Sequence, residues 1–345
     1  MMVRPSYTYT VTIVIVSFNT RELLRRCLDE LLAECRRLGT GPKGEPHTAE
    51  ILVVDNASHD GSAEMVERDY ATTATPVKLY ASPENLGFGR ANNVAIEAAQ
   101  GRYIVLLNSD AFFHEGALEA AIQQMEQNRK AGAGGAKLVF EDGSWQPSAR
   151  TFHSIGRDAL VLTGMASRFP RSRIFGSPDR TWADVNQPAQ VDWVTGAFMI
   201  LRREALALVG IFDPAFFLYC EEVDLCKRLK QGGFEVWYWP QIVVTHLGGE
   251  SSKNVKERTF SKISATVEEW RMRSTLIYYR KHHGWQAHLA RLLEDVFYTV
   301  RGWRNRLSKL EWRQQRAEEA KLMIQLMRQA WASTDGGRIS PRKPW

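Results

Sequence analysis

Apolar positions in the first third of the chain follow two rhythms. Val11-Thr12-Ile13-Val14-Ile15-Val16, Ile51-Leu52-Val53-Val54 and Tyr103-Ile104-Val105-Leu106-Leu107 are nearly unbroken apolar runs of strand length. Such runs, lacking strict alternation, suit strands buried on both faces of a parallel sheet. Between the first two, Leu23, Leu24, Cys27, Leu28, Leu31 and Leu32 recur at helical spacing. Helices are also predicted across Ser62 to Tyr70 and from about Gly89 to Gln100, with a short strand at Val77 to Tyr80 between them. This alternation implies an α/β architecture with a right-handed, mostly parallel sheet.

Further along, the pattern changes. Residues 141–190 scatter Pro, Gly, Ser and Arg among aromatics and read as an irregular segment or long loop over the sheet. Order resumes from Val191 to Gly248, with the apolar run Phe198-Met199-Ile200-Leu201 and the strand-like Phe234 to Trp239. Beyond about Ser251 the chain turns basic and helical, with Trp270, Trp285, Trp303, Trp312 and Trp331 spread through it. The expected organisation is a domain over 1–250 and a basic, Trp-rich helical extension over 251–345.

Composition narrows the class. With 44% hydrophobic and 24% charged residues in 345, the balance is that of an ordinary soluble protein with room for a large core. No apolar run approaches the ~20 residues needed to cross a bilayer, and Met-Met-Val-Arg-Pro-Ser-Tyr-Thr lacks the pattern of a signal peptide. A cytoplasmic location is expected. Cys27, Cys35, Cys220 and Cys226 show neither a C-x-x-C pair nor zinc spacing, so reduced thiols are expected, with Cys27 on the core side of its helix. The net charge of +6 is uneven: Lys253 to Trp345 carries 20 Lys+Arg against 9 Asp+Glu, leaving the preceding residues acidic overall. A basic extension implies an anionic partner, such as lipid head groups or nucleic acid.

The candidate chemistry gathers where predicted strands end, because ligands of open α/β sheets bind outside the carboxyl ends of the strands. Asn108-Ser109-Asp110 closes the strand from Tyr103, and a carboxylate there can hold a divalent cation that in turn holds a diphosphate. Asp55 after its strand can accept from a base or ribose, or can serve as an Asx turn or cap. The Gly87 and Gly89 pair permits close backbone approach to a phosphate at a helix start, or a plain turn. It is not the dinucleotide fingerprint, since it follows the third strand and lacks the third glycine. Glu221, Glu222 and Asp224 sit among Phe216, Phe217, Leu218, Tyr219 and Leu225, where an acid can become a general base or simply favour a helix start. His246 alone is most simply a buried or capping histidine.

In order, the chain carries Val-Ser-Phe-Asn (16–19), Val-Val-Asp-Asn (53–56), Asn-x-Gly-x-Gly-x-x-Asn-Asn (85–93), Leu-Asn-Ser-Asp (107–110), Gly-Ala-Phe-Met-Ile-Leu-Arg-Arg (196–203), Glu-Glu-Val-Asp-Leu (221–225) and Thr-His (245–246). This series, over about residues 9–250, resembles the family-two inverting glycosyltransferases of GT-A fold, particularly the rhamnosyltransferase-like branch. The resemblance implies a nucleotide-diphospho-sugar transferase fold and transfer from a nucleotide diphosphate sugar, dTDP-rhamnose or a UDP-sugar, to a glycan or polyprenyl-linked acceptor. It implies nucleotide contacts from Ser17, Asn19 and Asp55, and ribose and diphosphate contacts from Asn85, Gly87 and Arg90. Asp110 matches the last aspartate of the family's metal motif, with Asn108 standing where the first carboxylate usually is. His246 then becomes the second protein ligand for Mg²⁺ or Mn²⁺. Glu222 matches the catalytic base, beside Glu221 and Asp224. Trp193, Thr195 and Gly196 match the sugar and acceptor pocket, although Trp193 also suits plain core.

Other readings have their own expectations. A nucleotidyltransferase should carry a basic Gly-rich loop after the first strand, and Ser17-Phe18-Asn19-Thr20 is not one. A non-catalytic nucleotide-sugar-binding protein of the same fold stays open through the missing carboxylate at Asn108, while the intact acidic cluster argues against it. The extension, with Trp303-Arg304-Asn305-Arg306 and Trp312-Arg313, suits either an anionic membrane face or helices packed on the catalytic domain. No nucleic-acid motif accompanies its charge, so nucleic acid is not an expected partner.

Overall fold

The structure, a computed structural model, describes residues 7–42, 44–248, 262–306, 308 and 310–341. The first six residues and the onset of the basic extension at 251–261, both read above, lie outside the described residues. In chain order the elements are β1 (Tyr9–Ser17), α1 (Arg21–Arg36), β2 (Ala49–Asp55), α2 (Ser62–Asp69), β3 (Val77–Ala81), α3 (Phe88–Ala98), β4 (Gly101–Asn108), β5 (Ala111–Phe113), α4 (Ala117–Gln127), β6 (Ala131–Val139), β7 (Trp145–Gln146), β8 (Ala149–Arg150), α5 (Ile155–Leu162), α6 (Met165–Arg168), β9 (Ala189–Gln190), β10 (Trp193–Val194), β11 (Phe198–Arg202), α7 (Arg203–Val209), α8 (Glu221–Gln231), β12 (Glu235–His246), α9 (Lys262–His283), α10 (Gln286–Arg306) and α11 (Glu311–Ser333). They fall into two compact units. One takes Met1–Thr151, Ala183–Asp213 and Glu222–Ser251, the other Phe152–Trp182, Pro214–Glu221 and Ser252–Trp345.

The first unit is built on a ten-stranded sheet of order β3-β2-β1-β4-β11-β6-β12-β5, with β7 beside β6 and β9 beside β12. From β3 to β4 all neighbours are parallel, as the apolar runs predict. Val11, Ile13, Ile15, Ile51, Val53 and Val105 are fully buried, and α1 lays Leu24, Cys27, Leu28 and Leu31 into the same core. Beyond β4 the sheet is mixed: β11 runs antiparallel to both β4 and β6. The chain enters β11 through Ala197, whose carbonyl accepts from Asn108 N–H at the carboxyl end of β4 (3.1 Å), so the strand must run back along it. At the opposite end of the sheet the buried Glu50 carboxylate accepts from Thr12 Oγ1 (2.8 Å) and Gln100 N–H (2.7 Å), which satisfies it away from the candidate site.

Strand β6 has little room for side chains. A Cβ at Gly134 would lie 1.9 Å from the ring of Trp239, itself 2% exposed, and one at Gly135 would lie 2.6 Å from Val194. We expect Gly134→Ala to destabilise the protein by about 1–3 kcal/mol through overpacking. Urea unfolding with an unchanged midpoint would contradict that account.

The second unit is helical. Its core joins Met272 and Leu276 of α9, Tyr298 of α10, and Ala320, Met323, Leu326 and Met327 of α11. Arg271 makes paired bonds to Glu294 (2.9 and 3.1 Å), tying α9 to α10. Segment 152–182, read from sequence as irregular, contains α5 and α6. Ser154 caps α5 by accepting from Arg157 N–H, and two turns are too few for the apolar period to register. Among the described residues no helix is long and apolar enough to cross a membrane.

Candidate active site

Strand register aligns three of the sequence-predicted clusters. Ser17 stands opposite Asp55, and Val16 opposite Asn108, so the carboxyl ends of β2, β1 and β4 lie side by side. Two interstrand spacings separate Asp55 from Asn108, roughly 10 Å.

At the β2 end, Asp55 is 3% exposed. Its Oδ2 accepts from Ser58 N–H (2.9 Å), the local turn that Asp favours, while its buried Oδ1 has no hydrogen-bond partner among the described residues. Asn19, at positive φ, donates its N–H to Ser58 Oγ (2.9 Å) and accepts from His59 N–H (2.8 Å). The loops after β1 and β2 therefore hold each other. Asp60 reinforces them by accepting from Arg21 N–H (2.8 Å) and Ser62 Oγ (2.5 Å). Burial pushes its carboxyl up, but these bonds outweigh that and hold it below the usual aspartate range.

The loop after β3 is shaped by two asparagines. Asn85 Oδ1 accepts from Gly87 N–H (2.9 Å) and from Asn56 Nδ2 (2.9 Å), and Asn56 Oδ1 accepts from Leu86 N–H (2.7 Å). Asn85 thus uses its carbonyl oxygen within the loop. Gly87 adopts φ 80°, ψ −174°, a conformation essentially reserved for glycine, and leads directly into α3, which carries the half-buried Arg90. Farther along α3, Asn93 pairs with both backbone groups of Phe212 (2.8 and 3.1 Å).

The β4 end brings Asn108, Asp110 and His246 together. Pairing of β5 with β12 sets Ala111 opposite His246, and Leu247 N–H donates to the Asp110 carbonyl (3.1 Å). His246 Nε2 lies 3.4 Å from Asp110 Oδ1 and 3.3 Å from Asn108 Nδ2. Its Nδ1 is 2.8 Å from Gln146 Oε1, an atom that can only accept, so the ring proton belongs on Nδ1. Nε2 then carries a lone pair on the Asp110 side, where it accepts from Asn108 Nδ2, and this is the tautomer a metal-ligating histidine needs. One carboxylate, one imidazole and an amide suit Mg²⁺ or Mn²⁺ whose remaining positions are filled by substrate phosphate and water. No group of three or more His, Cys, Asp or Glu with metal-holding geometry occurs among the described residues. The donor set fits a cation shared with a ligand better than a closed protein cage.

Sequence reading missed Gln146, which lies 100 positions from His246 in a Pro- and Ser-containing stretch with no period to mark it. It also missed the hydroxyl chain Ser17 Oγ to Thr20 Oγ1 (3.0 Å) to Ser109 Oγ (2.9 Å), which ties the first loop to the Asn108-Ser109-Asp110 triplet.

The acidic cluster opens α8, preceded by two residues in the left-handed region, Tyr219 (φ 69°) and Cys220 (φ 66°). Neither is glycine, and such strain tends to sit at functional sites. Glu221 is 2% exposed and Asp224 fully buried, whereas Glu222 is half-buried. Asp224 Oδ2 accepts from Arg228 Nε (2.8 Å), and Arg228 clamps the carbonyls of Val209 and Ile211 (both 2.7 Å). Of the three acids, Glu222 is the least buried, although its Oε2 is enclosed.

Beside β11, Trp193 is buried and donates its indole N–H to the Thr151 carbonyl (2.9 Å). Thr195 Oγ1 is buried with no hydrogen-bond partner among the described residues, and a Cβ at Gly196 would lie 2.8 Å from the Phe88 ring.

The sequence profile described as Glycosyl transferase family 2 matches residues 12–207, more than half of the chain. The chain belongs to glycosyl transferase family 2. The matched region of this family-2 protein runs from β1 into α7 and takes in Asp55, the Gly87 loop, Asp110 and Gly196. Among curated relatives, an N-acetylglucosaminyl-diphospho-decaprenol L-rhamnosyltransferase of Mycobacterium tuberculosis is 29% identical over 211 residues. That stretch is 57% of this chain and 66% of the relative, just under two thirds of its length. Rhamnosyltransferase WbbL of Escherichia coli K12 is 26% identical over 216 residues, 58% of this chain and 72% of that one. Among solved structures, GalNAc-T7 with UDP, GalNAc and Mn²⁺ superimposes with a TM-score of 0.53 at 16% identity, covering 79% of this chain and 51% of that one. That likeness concerns the fold, and the family-2 protein has the GT-A architecture expected from its sequence: a mixed, largely parallel sheet flanked by helices, with C-terminal helices added.

Proposed function

We propose that the chain is an inverting, metal-dependent glycosyltransferase moving a sugar, rhamnose in the leading version, from dTDP-rhamnose or a UDP-sugar to a hydroxyl of a glycan or polyprenyl-linked acceptor. The work would belong to cell-surface polysaccharide biosynthesis at the cytoplasmic face of the membrane, with residues 1–250 as catalytic domain and 251–345 as extension. The rhamnosyltransferase names of the relatives support the sugar and the lipid-linked acceptor. The observation that carries the reading is the Asp110 and His246 pair, with its tautomer fixed by Gln146, beside the unpartnered Asp55 oxygen on the same strand-end edge.

In this reading Asp55 Oδ1 accepts a hydrogen from the base, with Ser17 and Asn19 shaping that end. The Gly87 backbone, Asn85 and Arg90 face ribose and diphosphate, and the Thr195 hydroxyl meets a sugar or acceptor hydroxyl beside Gly196 and Trp193. Asp110, His246 and the Asn108 amide hold Mg²⁺ or Mn²⁺, which when bound offsets the charge of the departing diphosphate. Glu222 takes the acceptor hydroxyl proton as that oxygen bonds to the anomeric carbon from the face opposite the leaving phosphate oxygen, so configuration inverts. Glu221 and Asp224 support it, Asp224 through its hold on Arg228.

A thermal-shift screen of nucleotides and nucleotide sugars, with and without Mn²⁺, tests this. One diphosphate sugar with Mn²⁺ should raise the melting temperature by roughly 5 °C at about 100 times its Kd. No response to any nucleotide sugar would defeat the reading. Binding without slow donor hydrolysis in Mn²⁺ would favour a non-catalytic binder.

A further inference from the structure

Helix α10 carries two opposite series of residues, one buried and one exposed. Ala290, Glu294 and Tyr298 are buried within the second unit, where Tyr298 joins the helical core and Glu294 meets Arg271. Displaced from them by two residues, about 200° around the helix, Leu292 (55% exposed), Val296 (52%) and Val300 (49%) face solvent, and Trp303 (71%) continues the same line. The line extends about 16 Å along the axis. Trp285, 66% exposed, stands one residue before the helix begins. Large side chains gathered into one stripe, unlike exposed ones scattered singly, mark a surface that something covers.

Charge indicates the occupant. From Arg301 to Arg316 the sequence carries six basic residues, Arg301, Arg304, Arg306, Lys309, Arg313 and Arg316, against Glu311 as its sole acid. Arg301 is paired with Glu319 (2.7 Å), but Arg304 and Arg306 are exposed at the last turn of α10 beside Trp303. Arg313 and Arg316 stand over the half-exposed Trp312 ring at 5.1 and 4.9 Å. Tryptophan beside arginine, at the end of an apolar stripe, matches the boundary between head groups and acyl chains. A second copy paired in parallel across this face would set Arg304 and Arg306 near their own copies, a like-charge contact that a lipid phosphate surface does not impose.

We propose that the exposed face of α10, from Leu292 to Trp303, together with the Arg304, Arg306, Arg313 and Arg316 cluster, docks in the plane of an anionic phospholipid surface. The helix lies on the membrane, with Leu292, Val296, Val300 and Trp303 among the upper acyl chains and the guanidinium groups at lipid phosphates. This deepens the membrane-face location proposed above by naming the surface and the lipid charge. It stands on the geometry of α10 and not on the transfer chemistry.

The test is co-sedimentation of the full chain with vesicles of phosphatidylcholine and phosphatidylglycerol at roughly two to one, without donor or acceptor, against vesicles of phosphatidylcholine only. We expect binding to the anionic vesicles that weakens with added salt. The double variant Val296→Glu with Val300→Glu should lower the partition coefficient by at least roughly tenfold. Arg304→Glu with Arg306→Glu should lower it similarly and flatten the salt dependence. All these positions are exposed, so the thermal melt followed by circular dichroism should stay that of the wild type. Undiminished vesicle binding by the first variant would overturn the proposal. So would a wild-type dimer in sedimentation velocity that the same variant converts to monomer, which would give the face to a second copy. Since no turnover is read, failure here leaves the transfer reading intact, and failure of donor binding leaves this surface intact.

Discussion

Replacing Glu222 with Gln is expected to cut turnover by about 10²–10⁴-fold while leaving donor affinity nearly unchanged. The amide keeps the shape and hydrogen-bonding reach of the carboxylate but cannot take a proton from the acceptor hydroxyl. Its neighbours make poorer candidates for the same task. Glu221 and Asp224 are buried, and Asp224 is engaged by Arg228 in a clamp on the turn after α7. Separate measurement of donor binding and of single-turnover transfer distinguishes loss of the base from loss of the fold. Transfer at the wild-type rate by the Gln variant would remove Glu222 from the mechanism.

At the other pole, Asp110→Ala should weaken Mn²⁺-dependent donor binding by at least about 100-fold, and His246→Ala should do comparable damage. The expectation follows from scarcity of charge. With Asn108 in the triplet, Asp110 is its single carboxylate, so removing either Asp110 or His246 leaves one strong donor for a divalent ion. Gln146→Leu should cost about 10–100-fold, because the His246 ring would lose the acceptor that keeps its proton on Nδ1. Titration calorimetry with and without Mn²⁺ separates the effects. Donor affinity that is metal-independent in the wild type, or undisturbed in the Asp110 variant, would refute a cation at this pair.

Much of the frame was legible because burial writes itself into the sequence. β1, β2 and β4 are sandwiched between helices and therefore read as unbroken apolar runs, and each ends at a polar residue that the register then aligns. The direction of β11 was not legible. Phe198-Met199-Ile200-Leu201 looks alike whether the strand runs up or down, and only the pairing of Ala197 with Asn108 decides it. Among candidate site residues, Asp55, Asp110 and His246 stand out by type and position. Gln146, Thr20 and Ser109 do not, because hydroxyls and amides are common in loops and their partners lie far along the chain. Asn85 reads the same whether it faces a ligand or locks its own loop, and its bonds to Gly87 and Asn56 are what reveal the second task.

His246 reaches its partners at the end of a strand that does not keep step with its neighbour. Trp239 pairs with Ala136 and Val243 with Lys137, so the three residues Pro240, Gln241 and Ile242 are spanned by a single step on β6. Proline has no N–H to give the ladder, which suits it to such an interruption. Residues on a strand alternate faces, so the number of residues in this excursion helps decide which face the imidazole of His246 takes. A one-residue deletion between Trp239 and Val243 that moved the following pairing by one position would turn His246 to the opposite side of the sheet. The length of this excursion, several residues before the strand's end, is therefore part of what places His246 beside Asp110.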